Sequence, residues 1–320
     1  METKSILVTG GAGFIGSNIV EHLLKSNVKF VRVLDNLSTG NKFNIQPFLE
    51  KFKNLEFMYG DISNLETCRK AVQNIDIICH QAALGSVPRS VEDPLSSHIS
   101  NVNGFLNILI SAKEAGIKRI VYASSSSVYG DNPTLPKVED KTGNVLSPYA
   151  ATKEIDEIYA QVFTRCYNME CIGLRYFNIY GPRQDPNGQY AAVIPKFIDL
   201  IKNNKAPIIN GDGNFSRDFT YVSNAVLANC LAMFTDNKEC FGRAFNIGAG
   251  GQTSIKLLFE TIKNYFKSDL EPIYGPERAG DVPHSNADIS KAFKYLHYEP
   301  LIKFEEGIIK TINYYIQNNN

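Results

Sequence analysis

The sequence predicts an α/β fold: a doubly wound parallel sheet joined to a smaller, discontinuous α/β lobe. Three observations carry that expectation. Short apolar runs alternate with helix-periodic stretches through the first half of the 320 residues. A glycine-rich turn links the first apolar run to the first helical stretch. Beyond Tyr176 the alternation loosens into turn-rich chain. Strand, helix, strand at the earlier pitch implies parallel strands with helices on both faces.

The elements follow in order. Strands are expected at 5–9, 30–34, 55–59, 75–80, 120–124 and 171–176, and helices at 15–25, 65–72, 103–115 and 150–168. Right-handed crossovers then set the strands' carboxyl ends along one edge, where a ligand binds. After Tyr176, the stretch from Gly181 to Gly188 is dense in turn formers. A helix is expected at 194–203, a short strand at 207–210, a helix returning to the first layer at 222–234 and a strand at 243–247. Further helices are expected near 255–266, 289–295 and 304–317. The first domain therefore comprises residues 1–175 plus about 222–248, and the second lobe about 176–221 plus 249–320.

Composition narrows the function. Lys+Arg and Asp+Glu both number 33, which gives zero formal net charge and argues against nucleic acid or an anionic membrane as a partner held by bulk charge. Six cysteines without a CxxC pair suit a reducing, cytoplasmic location. The first residues lack the apolar core of a signal peptide, and no apolar run reaches the roughly 18 residues that span a bilayer. The five histidines show no metal spacing, so no metal is expected; His80, ending an apolar run, reads as a packed core residue. Glu139 and Asp140 read as a solvated loop.

Gly11, Gly13 and Gly16 lie between the first strand and the first helix at GxGxxG spacing. Glycine there permits a tight turn, lets backbone approach a pyrophosphate and allows close helix–strand packing, while the helix N-terminus offers N–H groups. Asp35 ends the next strand, 19 residues after Gly16. Its carboxylate would accept hydrogen bonds from ribose hydroxyls and repel a 2′-phosphate, so NAD is expected rather than NADP. Asp61 follows the third strand, where an acid can meet the adenine amino group.

Tyr149 and Lys153 stand at i, i+4 where a helix starts, which puts both on one face. A free phenol ionises near 10, so a base working near pH 7 needs about 3 units of depression. One ammonium about 4 Å away, in an effective dielectric near 20, supplies roughly that much. The fifth strand ends in Ser124, Ser125, Ser126 and Ser127, any of which can present a hydroxyl between a substrate and the phenol.

Together these segments resemble the extended short-chain dehydrogenases/reductases, and within them the UDP-sugar 4-epimerases, in particular the UDP-N-acetylglucosamine 4-epimerases. The matching stretches are TGGAGFIGS (9–17), LDNLSTG (34–40), GDI (60–62), QAA (81–83), NVNG (101–104), SSSSVYG (124–130), YAATK (149–153), LRYFNIYGPRQDPNG (174–188), SRDFTYV (216–222) and ERAGDVPHSNADISKA (277–292). The resemblance implies a Rossmann-type first domain and a catalytic set of Tyr149 as base, Lys153 as its tuner and Ser125 as the hydroxyl. It implies NAD held by Gly10, Gly13, Phe14, Ile15, Asp35, Asn36, Ser38, Thr39, Gly40, Asp61, Ile62, Ala82, Ala83, Asn101, Tyr149, Lys153 and Tyr176. It implies a UDP-sugar held by Gly85, Ser86, Ser125, Ser126, Tyr149, Asn178, Gln184, Val193, Lys196, Ile208, Asn210, Arg217, Arg278, Asp281 and Ser285. Of these, Arg217 and Arg278 would clamp the diphosphate and Asp281 the uridine ribose; guanidinium forks suit a diphosphate better than ammonium groups do. The helices at 103–115 and 150–168 would pair across a homodimer, as in relatives.

Two further features bear on the reaction. The serine run holds only hydroxyls, so hydride can be shuttled but no acid stands there for elimination, which favours simple epimerisation. Relatives restricted to galactose carry a bulky Tyr where Ser285 stands, so a small residue leaves room for an N-acetyl group. Gly85, Ser86, Ser126 and Gln184 resemble the N-acetylhexosamine subgroup in the same way. The alternatives are a UDP-hexuronic acid 4-epimerase or decarboxylase, acceptance of both acetylated and plain sugars, and a non-catalytic NAD-binding sensor or scaffold.

Overall fold

The computed structural model describes residues 1–187, 191–277 and 282–318. In chain order the strands are β1 (Ser5–Thr9), β2 (Phe30–Asp35), β3 (Leu55–Tyr59), β4 (Ile77–His80), β5 (Arg119–Ser125), β6 (Glu170–Tyr176), β7 (Ile179–Tyr180), β8 (Ile208–Asn210), β9 (Ser216–Arg217), β10 (Thr220–Tyr221), β11 (Arg243–Ile247), β12 (Thr253–Ser254), β13 (Ile273–Gly275) and β14 (His284–Ser285). The α-helices are α1 (Phe14–Lys25), α2 (Gln46–Lys51), α3 (Leu65–Ala71), α4 (Val87–Glu92), α5 (Pro94–His98), α6 (Gly104–Glu114), α7 (Pro148–Tyr167), α8 (Val193–Lys202), α9 (Val222–Phe234), α10 (Ile255–Phe266), α11 (Ser290–Leu296) and α12 (Phe304–Gln317).

Seven strands form one sheet in the order β11-β6-β5-β4-β1-β2-β3. Every pair in it is parallel. The chain leaves β1 toward β2 and β3, then returns to β4 on the other side. That reversal opens a crevice at the carboxyl ends of β1 and β4. The pleat divides the core. Ile6 and Val8 of β1 face one layer with α1 and α9, whereas Leu7 faces the other with α3, α6 and α7. Both faces are therefore covered, and β1 is buried along its whole length.

A second apolar cluster joins Ile194, Phe197 and Ile198 of α8 to Leu258, Phe259 and Ile262 of α10 and to Ile308 and Ile312 of α12. Around it lie the short ladders β8–β13, β7–β10 and β12–β9–β14. The expected helix at 222–234 does return to the large sheet, packing α9 against α1.

Several elements exceed the sequence expectation. Helices α4 and α5 are short, each with a side-chain cap and a proline in its first turn: Ser86 accepts from Arg89 N and Asp93 from Ser96 N. The small strands of the second cluster are two or three residues long, below the reach of alternation patterns. One expectation is corrected. Glu139 is buried rather than solvated, because its Oε1 accepts the backbone N–H of Asn246 at 2.8 Å; Asp140 alone is exposed, paired with Lys291.

Candidate active site

The glycine turn is built by close approach. A Cβ on Gly16 would lie 2.1 Å from the Gly10 carbonyl oxygen, so α1 can start this near β1 only with glycine there. Gly10 sits at φ +66, and a Cβ on it would lie 2.7 Å from the Ala82 nitrogen. Gly13 caps α1, whose first N–H groups have no partners within the helix. Asp35 closes β2 and is buried. Its Oδ2 accepts from Ala12 N at 2.9 Å and its Oδ1 from Leu37 N at 2.8 Å, which fixes the carboxylate while each oxygen keeps a lone pair. Burial pushes this carboxyl up, against those backbone bonds.

A cavity of about 390 Å³ opens along this edge. Among the expected cofactor residues, Gly10, Gly13, Phe14, Ile15, Asp35, Asn36, Ser38, Thr39, Gly40, Ile62, Ala82, Ala83, Tyr149, Lys153 and Tyr176 line it. Asp61 and Asn101 are not among its lining residues. Asp61 accepts from Asn36 Nδ2 at 2.7 Å and from Ser63 N at 2.7 Å. Asn101 accepts from Leu84 N at 2.7 Å and donates to Thr152 Oγ1 at 3.0 Å, tying the loop after β4 to α7. The turn at the crevice, the helix N-terminus and the fixed acid together suit a dinucleotide with an unphosphorylated ribose.

Tyr149 and Lys153 stand on the first turns of α7, where Ser147 caps the helix. The Tyr149 N–H donates to Ser90 Oγ at 3.0 Å. Lys153 is only 2% exposed, and its Nζ donates to the Ala123 carbonyl at 2.9 Å and to Asp156 Oδ2 at 3.2 Å. Burial pushes the Asp156 carboxyl up to about 7, although Lys153 pulls the other way. Ser124 and Ser125 both line the cavity. Ser124 Oγ donates to Glu157 Oε1 at 2.5 Å, and Glu157 is held by Arg175 at 2.7 Å. Ser125 Oγ accepts from Ser127 N at 3.1 Å, so it caps its own turn as well as facing the cavity. Tyr176 is set by two amides: its hydroxyl donates to Gln81 Oε1 at 3.0 Å and accepts from Asn229 Nδ2 at 2.7 Å.

Of the expected sugar residues, Gly85, Ser125, Tyr149, Asn178 and Gln184 line the same cavity. Gln184 Oε1 is buried and has no protein partner among the described residues. Ser86 caps α4, and Ser126 opens the turn after β5. Val193 and Lys196 lie on α8, Ile208 and Asn210 on β8, Arg217 on β9 and Ser285 on β14, all outside the cavity wall. Arg217 Nη1 donates to the Ser216 carbonyl at 2.9 Å and to the Pro283 carbonyl at 3.1 Å. Arg278 and Asp281 lie outside the described residues.

The sequence reading did not anticipate Asp156, Ser90, Gln81 or Asn229 in supporting roles. Only Asp156 carried a usable signal, three residues after Lys153 on one helix. Asn229 lies 53 residues from the hydroxyl it holds.

The fold and the cavity are those of a dinucleotide-binding protein, with a tyrosine and a lysine one helical turn apart in the cavity wall. The family model described as "NAD dependent epimerase/dehydratase family" matches residues 6–248. A putative UDP-glucose 4-epimerase of Methanocaldococcus jannaschii is 42% identical over 317 residues, covering 98% of this chain and 99% of its own. Among solved structures, a UDP-N-acetylglucosamine 4-epimerase from Methanobrevibacter ruminantium M1, in complex with UDP-N-acetylmuramic acid, superposes with TM-score 0.93 at 40% identity over 100% of both chains. A UDP-glucose 4-epimerase from Thermotoga maritima, with UDP-glucose, gives TM-score 0.91 at 36% identity over 98% of this chain and 99% of its own. The chain belongs to the NAD-dependent epimerase/dehydratase family, and NAD is its cofactor.

Proposed function

We propose that this chain interconverts the C4 epimers of a UDP-sugar, with UDP-N-acetylglucosamine and UDP-N-acetylgalactosamine as its preferred pair. One observation carries the choice of epimerisation: among the described residues lining the cavity, Asp35 is the sole carboxylate. The end of β5 therefore offers hydroxyls and no acid to drive elimination or decarboxylation. NAD, held along the glycine turn and Asp35, would supply reversible hydride chemistry at the sugar C4.

The chain's own residues do the rest. Tyr149 removes the O4 proton and later returns it, and the Lys153 ammonium favours the phenolate. Ser125 orients O4. Arg217 and Arg278 hold the diphosphate and Asp281 the uridine ribose, so the 4-keto sugar turns over without leaving. Val193, Lys196, Ile208 and Asn210 complete the nucleotide-sugar set, which makes the second lobe the substrate lobe. The acetylated preference is supported by space and by one acceptor. A Cβ on Gly85 would meet nothing within 4 Å, and Gln184 Oε1 is a buried acceptor able to take an amide N–H.

We also read the enzyme as a cytoplasmic homodimer. Its six cysteines are all free thiols. Ile158 and Val162 of α7, with Val91 and Leu95 before it, expose apolar surface beside the helices expected to pair.

The test is anomeric proton NMR on the purified enzyme given UDP-N-acetylglucosamine, UDP-glucose and UDP-glucuronic acid in turn. Fastest turnover of the acetylated sugar is expected. Faster turnover of UDP-glucose defeats the acetylated preference, and turnover of none of them, with nicotinamide bound, favours a sensor.

A further inference from the structure

Beside Lys153 lies a buried carboxyl group that the proposed reaction does not use. Asp156 is one turn along α7 and 1% exposed. Its Oδ2 accepts from Lys153 Nζ at 3.2 Å, while its Oδ1 is buried with no hydrogen-bond partner among the described residues. The neighbouring Glu157 is different. Both of its oxygens take bonds from Arg175, at 2.8 and 2.7 Å, so that pair neutralises itself. Among the described residues Asp156 has a single hydrogen-bond partner, the ammonium of Lys153, which lines the same cavity as Tyr149.

Lys153 has three protons to give. One goes to the Ala123 carbonyl and one to Asp156, which leaves the third for the cavity it lines. A half-satisfied buried carboxylate is poor support for folding, since desolvation offsets the attraction. Its placement matters more for the field it sets. An ionised Asp156 cancels much of the positive potential that Lys153 projects at Tyr149, whereas a protonated Asp156 leaves that potential in place.

We propose that Asp156 is a positioning and charge-tuning residue for Lys153, setting the acidity of the Tyr149 hydroxyl. This rests on Tyr149 being the base, as argued above. Burial favours the protonated acid, in the same direction as the unpartnered Oδ1. The other titratable groups around the pair are Glu157 on the same helix, Tyr122 on β5, Arg175 and Cys171 on β6, and His80 on β4. Burial holds Tyr122 and Cys171 neutral by pushing their ionisation upward, and holds His80 neutral by pushing it downward. Glu157 and Arg175 balance each other, so Asp156 is the group left to vary the net charge beside Lys153 near neutral pH. From α4, the neighbour that reaches Tyr149 is the uncharged Ser90.

The experiment reads Tyr149 directly and needs no substrate. Tyrosinate absorbance is titrated in the parent holoenzyme and in Asp156→Asn, each against the same protein carrying Tyr149→Phe, which isolates one phenol among the 16 tyrosines. Removing the negative charge is expected to lower the Tyr149 midpoint by about one unit. Asp156→Leu, which removes charge and hydrogen bond together, is expected to shift it the same way. The acid limb of kcat against pH moves with it, and KM for the nucleotide sugar stays within about twofold. An unchanged or raised midpoint in folded variants overturns the inference, as does loss of folding in both, since Asp156 is then purely structural. If the midpoint shifts but no UDP-sugar is turned over by the parent, the functional reading fails and the tuning stands.

Discussion

Ser285 of β14 sits directly opposite Arg217 of β9 in a two-residue parallel ladder. The proposed sugar-end residue and the proposed diphosphate clamp are thus cross-strand neighbours. Next to Arg217, Asp218 donates its N–H to the Ser285 carbonyl at 2.8 Å, and its carboxylate accepts from Ala249 N at 2.8 Å, Gly250 N at 3.1 Å and Ala287 N at 3.2 Å. Any change at Ser285 is therefore made on a framework fixed relative to Arg217.

Ser285→Tyr fills the space proposed for the acetamido group. Turnover of UDP-N-acetylglucosamine should fall at least about tenfold in kcat/KM, while that of UDP-glucose holds or rises. Anomeric NMR on both sugars measures the ratio, and an unchanged ratio removes Ser285 from the specificity set.

Tyr149→Phe keeps the ring and its packing but removes the proton acceptor. Turnover should drop by about 10²-fold to 10⁴-fold with bound nicotinamide retained. Single-turnover assays and the absorbance of the purified holoenzyme check both halves. Near-normal turnover rules out the phenol as base.

Gly16→Ala and Gly85→Ala form a contrasting pair. The first must push a Cβ against the Gly10 carbonyl, and should cost about 2 kcal/mol or more together with dinucleotide retention. The second meets open space and should leave stability within about 0.5 kcal/mol. Urea unfolding with and without NAD distinguishes them.

His80 should contribute to the acid sensitivity of the fold. It is buried at the end of β4, bonded through Nδ1 to Thr9 Oγ1 at 2.8 Å, and burial pulls its ionisation down to about 3. The unfolded chain binds the proton near 6.5, so the stability from neutral His80 is complete above that pH and is lost as pH falls toward 3. Between about pH 7 and pH 4.5 the parent should lose on the order of 2 kcal/mol more than His80→Asn. Urea unfolding at both pH values decides it, and parallel losses in the two proteins exclude His80 as the cause.

Amino-acid order alone determined the parallel sheet, the glycine turn, Asp35 at the end of β2 and the Tyr149–Lys153 spacing. Each is a local rule: strand and helix periods, a turn that only glycine permits, one helical turn of separation. Tertiary structure decided what no local rule reaches. It buried Glu139 against Asn246, tied Asn101 to Thr152 of α7, and brought Asn229 to the Tyr176 hydroxyl. It also paired β9 with β14, whose partners lie 68 positions apart, and left Asp156 with Lys153 as its one hydrogen-bond partner among the described residues. Those outcomes depend on which surfaces come together when helices pack on a sheet, and a hydrogen bond between distant residues leaves no periodic trace in the order of the chain.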